Sequence, residues 1–370
     1  MKYVIAPDSY KNCMRSTAVC EVIARAISDV QYKAEIVKIP MADGGEGTID
    51  AVLMATSGEI KEVEVSGPLG HAVIARYALI NNGKTAVTEM AEASGLELIT
   101  SEQRNPLRTC TFGTGELIRS ILSEGIRDII IGIGGSATVD GGFGMARALG
   151  YMFLDKKNNI VTTSDKLSTI TSINTDHINY LIKECRIRVA CDVTNPLLGP
   201  RGAAAVFGPQ KGATSEMIPL LEQGLATLYK VCFETGIYDT QLPGDGAAGG
   251  LGAGLRTFCA ATIESGAHLI AETVKFEKQL QNADYLITGE GCTDLQTLDG
   301  KLCSVVAKIA QKSSVKTIVI SGAVMADLDT NLFDYIEAIT PGSMSLKQAF
   351  ESAEENLYSK TKEIILKINQ

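Results

Sequence analysis

Residues 2–6 (KYVIA) form a short apolar run that stops at Pro7 and Asp8, the pattern of a buried strand. Beyond a polar turn, Val19, Val22, Ile23, Ala26 and Ile27 recur at helical spacing, which predicts a helix from about Ser16. Residues 34–39 predict a second strand, running through Pro40 into DGGEG (43–47). Ile49, Val52, Leu53 and Ala55 then mark a second helix that Gly58 stops. The far end repeats this grammar. ADYLITG (283–289), KTIVISG (316–322) and YIEAITP (335–341) predict strands alternating with helices, and such alternation builds a parallel, doubly wound sheet.

The middle of the chain follows another rule. VEVSG (63–67), AVIARYALI (72–80) and TAVTEM (85–90) are joined by PLG and NNG turns too short for helical crossovers, so antiparallel hairpins are predicted. Apolar strands at 128–132 and 187–193, a long helix at 214–234 and two helices between 250 and 281 complete this part. The predicted fold is α/β and discontinuous. Residues 1–62 and 276–370 make a Rossmann-like (flavodoxin-like) domain with a doubly wound parallel sheet, and 63–275 an inserted mixed α/β domain.

Composition narrows the class. The 370 residues carry 34 Lys+Arg against 43 Asp+Glu, a net charge of −9 with no basic block, so nucleic acid and anionic membranes are not expected partners. No apolar stretch approaches the ~18 residues that span a bilayer. Nine scattered cysteines without a CxxC pair read as reduced thiols, and the expected location is cytoplasmic. Three histidines, 71, 177 and 268, leave little room for a multi-histidine metal site. A homo-oligomer is left open, since no heptad or marked edge strand decides it.

Thirty-six glycines are the unusual count, and they gather in loops: 43–47, GIGGSATVDGGFG (132–144), GDGAAGGLGAG (244–254) and TGEG (288–291). Glycine lets the backbone approach an anion, and a helix start offers unpaired N–H groups, so these loops suit polyphosphate. Gly83-Lys84 and Gly300-Lys301 lack the glycine a P-loop needs five residues earlier. Gly132, Gly134 and Ala137 spell GxGxxA without the acid-ended second strand of a dinucleotide fold. Acids lace the same loops: Asp43, Glu46, Asp140, Asp192, Asp245, Glu290 and Asp294. Carboxylates beside a phosphate call for a cation, usually Mg2+. With Lys11, Lys211 and Lys301 nearby, the set fits phosphoryl transfer, which needs positioning, a metal, a cation and a carboxylate base.

APDSYK (6–11), MADGGEGT (41–48), EMAEASGL (89–96), NPLRTCTFGTGELI (105–118), IGIGGSATVDGGFGMARALG (131–150), ACDVTNPLLGPRGAAAVFGPQKGA (190–213), PGDGAAGGLGAGL (243–255) and TGEGCTDLQTLDGK (288–301) resemble, in order, the bacterial class I glycerate kinases. The resemblance implies phosphorylation of D-glycerate by ATP with Mg2+, in a cleft between two α/β domains, giving 2-phosphoglycerate rather than 3-phosphoglycerate. A kinase of a related hydroxy acid and a non-catalytic nucleotide- or glycerate-binding regulator are the alternatives. The chain departs from the family's usual residues at Tyr10, Asn12, Cys13, Val139, Cys292 and Cys303.

Roles follow from position. Asp192, at the end of an apolar strand, is expected as general base or as the residue orienting it, against a structural bond to the next turn. Lys11 and Asp43 are the other catalytic candidates, Lys11 toward phosphate or the glycerate carboxylate. Asp8, Ser9 and Glu46 are expected at the substrate, with helix and turn capping as the rival role. Gly134 and Gly135 offer backbone N–H groups, Ser136 and Thr138 hydroxyls, and Lys301 a cation to the nucleotide; Asp245, Glu290 and Asp294 are the metal candidates.

Overall fold

A computed structural model describes residues 1–11, 13–298, 300–325, 330–342 and 344–369. It forms two compact units, one of Met1–Asp43, Gly47–Ser57 and Ser265–Gln370, the other of Gly44–Glu46 and Gly58–Glu264.

In the first unit five parallel strands lie in the order Tyr335–Ala338, Lys316–Ser321, Tyr285–Thr288, Lys2–Ile5, Glu35–Lys38. Numbered along the chain within this unit, that order is 2-1-3-4-5, the flavodoxin-like winding, whose direction reverses between the first and third strands. Strand alternation assigns the faces. Tyr3, Ile5, Tyr285, Ile287, Ile318 and Ile320 pack with Val19, Ile23, Ile27, Leu357 and Ile364 of the helices Ser16–Val30 and Ala353–Ile368. Val319, on the alternate parity, packs with Ala307 of the helix Leu302–Lys312. Each fully buried aliphatic side chain contributes about 1.5–3 kcal/mol, so the short strands are held mainly by their helices.

The second unit is built on a six-stranded sheet ordered Thr262–Glu264, Arg186–Ala190, Asp128–Gly132, Thr85–Glu89, Ala72–Ile80, Glu59–Ser66. The first four strands are parallel and the last two antiparallel. The hairpins read from the turn residues are thus present, although the first strand begins at Glu59, ahead of the boundary read at 62. Glu59, Ile60 and Glu62 are exposed at the sheet edge, so that segment has the polarity of a linker. The helix Gly266–Thr273, read as insertion, belongs to the first unit. All nine cysteines are free thiols. Among the described residues no helix is long and apolar enough to cross a membrane.

Candidate active site

Ligands of doubly wound sheets bind beyond the carboxyl ends of the strands, where the winding reverses. In the first unit that point lies between Lys2–Ile5 and Tyr285–Thr288, and the chain places Asp8 and Glu290 there. The Asp8 N–H donates to Gly289 O at 2.9 Å, so the two loops leave the sheet side by side. Asp8 Oδ1 accepts from the Ser9 N–H at 2.6 Å. Burial, with the Asp43 charge beside it and a smaller push from Glu290, raises the Asp8 carboxyl to about 7; Lys11 pulls the other way. Glu290 is also raised, chiefly by burial, and its Oε1 accepts from Thr297 Oγ1 at 2.7 Å and Thr293 Oγ1 at 3.3 Å. Asp294 accepts from the Thr297 N–H at 3.1 Å and pairs with Lys301 Nζ at 3.4 Å, both side chains partly open to solvent. Asp8, Ser9, Lys11, Asp43, Glu290, Asp294 and Lys301 therefore all belong to one unit, and Glu46 to the other.

In the second unit the strand Asp128–Gly132 opens into the glycine loop. Gly44, at φ +89, lies so close to this sheet that a Cβ there would stand 2.3 Å from Ala190 O, and Gly134 N–H donates to Gly44 O at 3.1 Å. Gly135, at φ +70, is exposed, and the N–H groups of Gly135 and Ser136 make no hydrogen bond among the described residues. Behind them lies Lys211, 1% exposed, whose Nζ donates to Ser136 Oγ at 2.6 Å and Thr138 O at 2.8 Å. An ammonium has donors only, so Ser136 Oγ must accept, which leaves its own hydrogen available as a donor. Two N–H groups and an O–H without protein acceptors, on adjacent residues, are the donors an anion cradle needs. Lys211 forms no ion pair among the described residues, and burial pushes it down to about 7, opposed by the charge of Asp140. Thr138 differs from expectation. It is fully buried and its Oγ1 has no partner among the described residues, so the hydroxyl is enclosed in the protein interior.

Asp140 is likewise internal. Its carboxylate accepts from Thr111 N–H and Oγ1, both at 2.9 Å, and from the N–H groups of Gly142 and Gly144 at 3.1 Å. Asp245 has no exposure and is held by Arg256, Nε to Oδ1 at 3.0 Å and Nη2 to Oδ2 at 2.8 Å, with Leu242 N–H and Tyr238 OH adding bonds. Asp192 does not end the apolar strand: that strand stops at Ala190, and Asp192 stands in the exposed loop beyond. Among the departures, Val139 packs in the core, and Tyr10 is buried with its OH bonded to Ile320 O. Buried Cys303 accepts from Thr288 Oγ1 at 3.6 Å, Cys13 is half-buried, and Cys292 is exposed on a two-residue strand. Asn12 lies outside the described residues.

Sequence reading named Lys211 only as a neighbour of the loops. Its signal was a lysine enclosed by glycines in GPQKGA, where a surface residue needs no such packing.

The model of the glycerate kinase family matches residues 3–369. The chain belongs to the glycerate kinase family. It is an enzyme of that family. It is 43% identical to the glycerate kinase of Bacillus subtilis (strain 168) over 100% of this chain and 98% of the relative. It is 42% identical to the glycerate 2-kinase of Escherichia coli (strain K12) over 96% of this chain and 95% of the relative. A crystal structure described as a candidate glycerate kinase 2 from Salmonella typhimurium LT2 superposes with a TM-score of 0.87 at 42% identity, covering 100% of this chain and 98% of the other.

Proposed function

We propose that the protein transfers the terminal phosphoryl group of ATP to the carbon-2 hydroxyl of D-glycerate, with Mg2+ and a carboxylate base. The observation that carries the chemistry is the Asp8 corner. A carboxyl raised to about 7 by burial and by Asp43 is poised to take a proton near neutral pH. Asp8, with Asp43 beside it, removes the hydroxyl proton as the oxygen attacks the γ-phosphorus and the bond to the β-phosphate oxygen breaks. Lys11 and Ser9 orient the substrate carboxylate, and the Gly135–Ser136 cradle receives phosphate oxygens, with Lys211 fixing the direction of the Ser136 hydroxyl. This assignment puts the base at Asp8 and Asp43 in preference to exposed Asp192.

A divalent cation suits this corner. Burial and the Asp43 and Glu290 charges all work against ionised Asp8, and a cation would relieve that opposition. Asp43 and Glu290 would hold it, and it would supply neutralisation of charge on the transferring phosphate. Among the described residues no group of three acids, cysteines or histidines could hold a metal ion, so phosphate and water would have to complete the shell of an Mg2+ bound here. Asp294 keeps Lys301 in place, and Asp245 is left out because Arg256 already neutralises it.

The carbon-2 position rests on the name of the Escherichia coli relative. Coupled ADP release with D-glycerate, L-glycerate, tartronate and glycerol tests the substrate, and phosphorus NMR the product. D-glycerate is expected to be preferred and 2-phosphoglycerate to form. Only 3-phosphoglycerate would overturn the position, and turnover unchanged after chelation of all divalent metal would overturn the metal.

A further inference from the structure

The second unit holds a cleft of about 660 Å³ that none of the assigned site residues lines. Its walls come from the turn 66–70, the segment 105–112, Arg147 and residues 162–165. Part of the NPLRTCTFGTGELI motif thus faces the cleft without a role in the chemistry above. A three-carbon acid needs far less room; clefts of roughly 300–1,000 Å³ hold drug-sized ligands.

Three features of the lining define the ligand. Pro68, Leu69, Leu107 and half-buried Phe112 give an apolar side. Arg108 makes no ion pair or side-chain hydrogen bond among the described residues, although the protein is acidic overall. Arg147 lies over the Phe112 ring at 5.3 Å and the Phe143 ring at 5.5 Å, and Nη1 donates to Thr162 O at 2.6 Å. That guanidinium is held in place yet has no carboxylate partner among the described residues. Planar forks of this kind match phosphate oxygens. One carboxylate, Asp165, lines the cleft and is exposed; two arginines less one aspartate leave a formal charge of +1. Exposed Thr162 and Thr163 add hydroxyls at the same wall.

We propose that this cleft binds a nucleoside phosphate, with the base against Leu107 and Phe112, the sugar at Thr162 and Thr163, and the phosphates on Arg108 and Arg147. The proposal rests on the kinase reading in naming ATP as one source of that ligand; a second, separately bound nucleotide is the other. The segment that carries Arg108 is tied to the glycine loop, since Thr109 Oγ1 donates to Ala137 O at 2.9 Å and Thr111 bonds Asp140. The cleft wall and the glycine loop thus share two hydrogen-bonded ties, one of them to Ala137 beside Ser136.

The test uses the full chain with ADP and ATP as probes, by calorimetry and steady-state kinetics. Arg108→Glu reverses one charge without touching a fold contact, and Thr163→Trp fills the wall from an exposed position. Both are expected to weaken ADP binding at least tenfold. If the cleft is the co-substrate site, KM for ATP rises by a similar factor while KM for D-glycerate stays within twofold. If it holds a second nucleotide, wild type binds two ADP, each variant one, and KM for ATP is unchanged. Unaltered ADP affinity and stoichiometry in both folded variants would overturn the proposal. Turnover of D-glycerate at saturating ATP in those variants would leave the kinase reading standing.

Discussion

Replacing Lys211 by methionine separates the role of its charge from that of its bulk. Methionine fills a similar volume but cannot donate to Ser136 Oγ or Thr138 O, the partners at 2.6 and 2.8 Å. Hydrogen bonds from a charged donor are worth about 1.5–3 kcal/mol each. Against their loss stands the removal of a buried ammonium that forms no ion pair among the described residues, a burial penalty of several kcal/mol. These terms nearly cancel, so Tm is expected to move by no more than about 5 °C, at roughly 2–4 °C per kcal/mol. Function should not be spared. Without Lys211 the Ser136 hydrogen is free to turn inward to Thr138 O, and the cradle loses one oriented donor. At about 1.5–3 kcal/mol, that raises KM for ATP roughly 12- to 150-fold. Ser136→Ala should produce a similar loss, and the double variant little more than either single one, because both act on one hydroxyl. Coupled ADP-release kinetics and a thermal melt make the measurement. A folded Lys211→Met enzyme with KM and kcat within twofold of wild type would refute the reasoning, as would strictly additive losses.

Other perturbations bear on the remaining groups. Asp8→Asn is expected to lower kcat by ~100-fold or more, while Asp192→Asn costs less than tenfold; the reverse order would return the base to Asp192. Because Asp8 is raised above its unfolded value, its ionisation opposes folding as pH rises through about 7. Asp8→Asn should therefore raise the melting temperature at pH 8 relative to wild type, by an amount that vanishes near pH 4. Turnover needs Asp8 deprotonated and Lys211 protonated. Lys211 sits at about 7, so turnover is expected to fall as pH rises through about 7. A cation at Asp43 and Glu290 moves the acid limb below the metal-free Asp8 value. Glu290 and Lys11 modulate the acid limb and Asp140 the alkaline one; Lys211→Arg should extend the alkaline limb. Arg256→Met strands the buried Asp245 charge and should cost about 3–5 kcal/mol in urea unfolding, with KM for glycerate unchanged where the enzyme is folded.

Much of the architecture was legible because parallel strands announce themselves as short apolar runs between helical periods. The glycine loops were legible too, since turn chemistry is local. What sequence could not supply was register across long separations. Nothing near Asp8 says that Gly289 will lie beside it, 281 positions away, yet that pairing brings the acids together. Long-range partners hid two more charges. Lys211, read only as a cation beside the loops, is buried against loop oxygens, and Asp245, read as a metal ligand, meets Arg256 eleven residues on. Asp192 lies outside the sheet because the strand read to 193 ends three residues early at Ala190, and Val139, though in a glycine loop, turns into the core.

The winding of the first sheet also sets a timetable for biosynthesis. Of its five strands, Lys2–Ile5 leaves the ribosome before the others but lies between Glu35–Lys38 and Tyr285–Thr288. At ~5–20 residues per second, one edge of that strand waits on the order of 15–60 s for its neighbour. Meanwhile an apolar ribbon with unpaired amides is exposed, a target for aggregation or for a holding chaperone. Gly58–Glu264, continuous in sequence, can complete its own sheet during that interval. A nascent chain arrested before residue 285 should thus yield a protease-resistant middle and a digestible amino terminus, and the last hundred residues are the ones that finish the beginning.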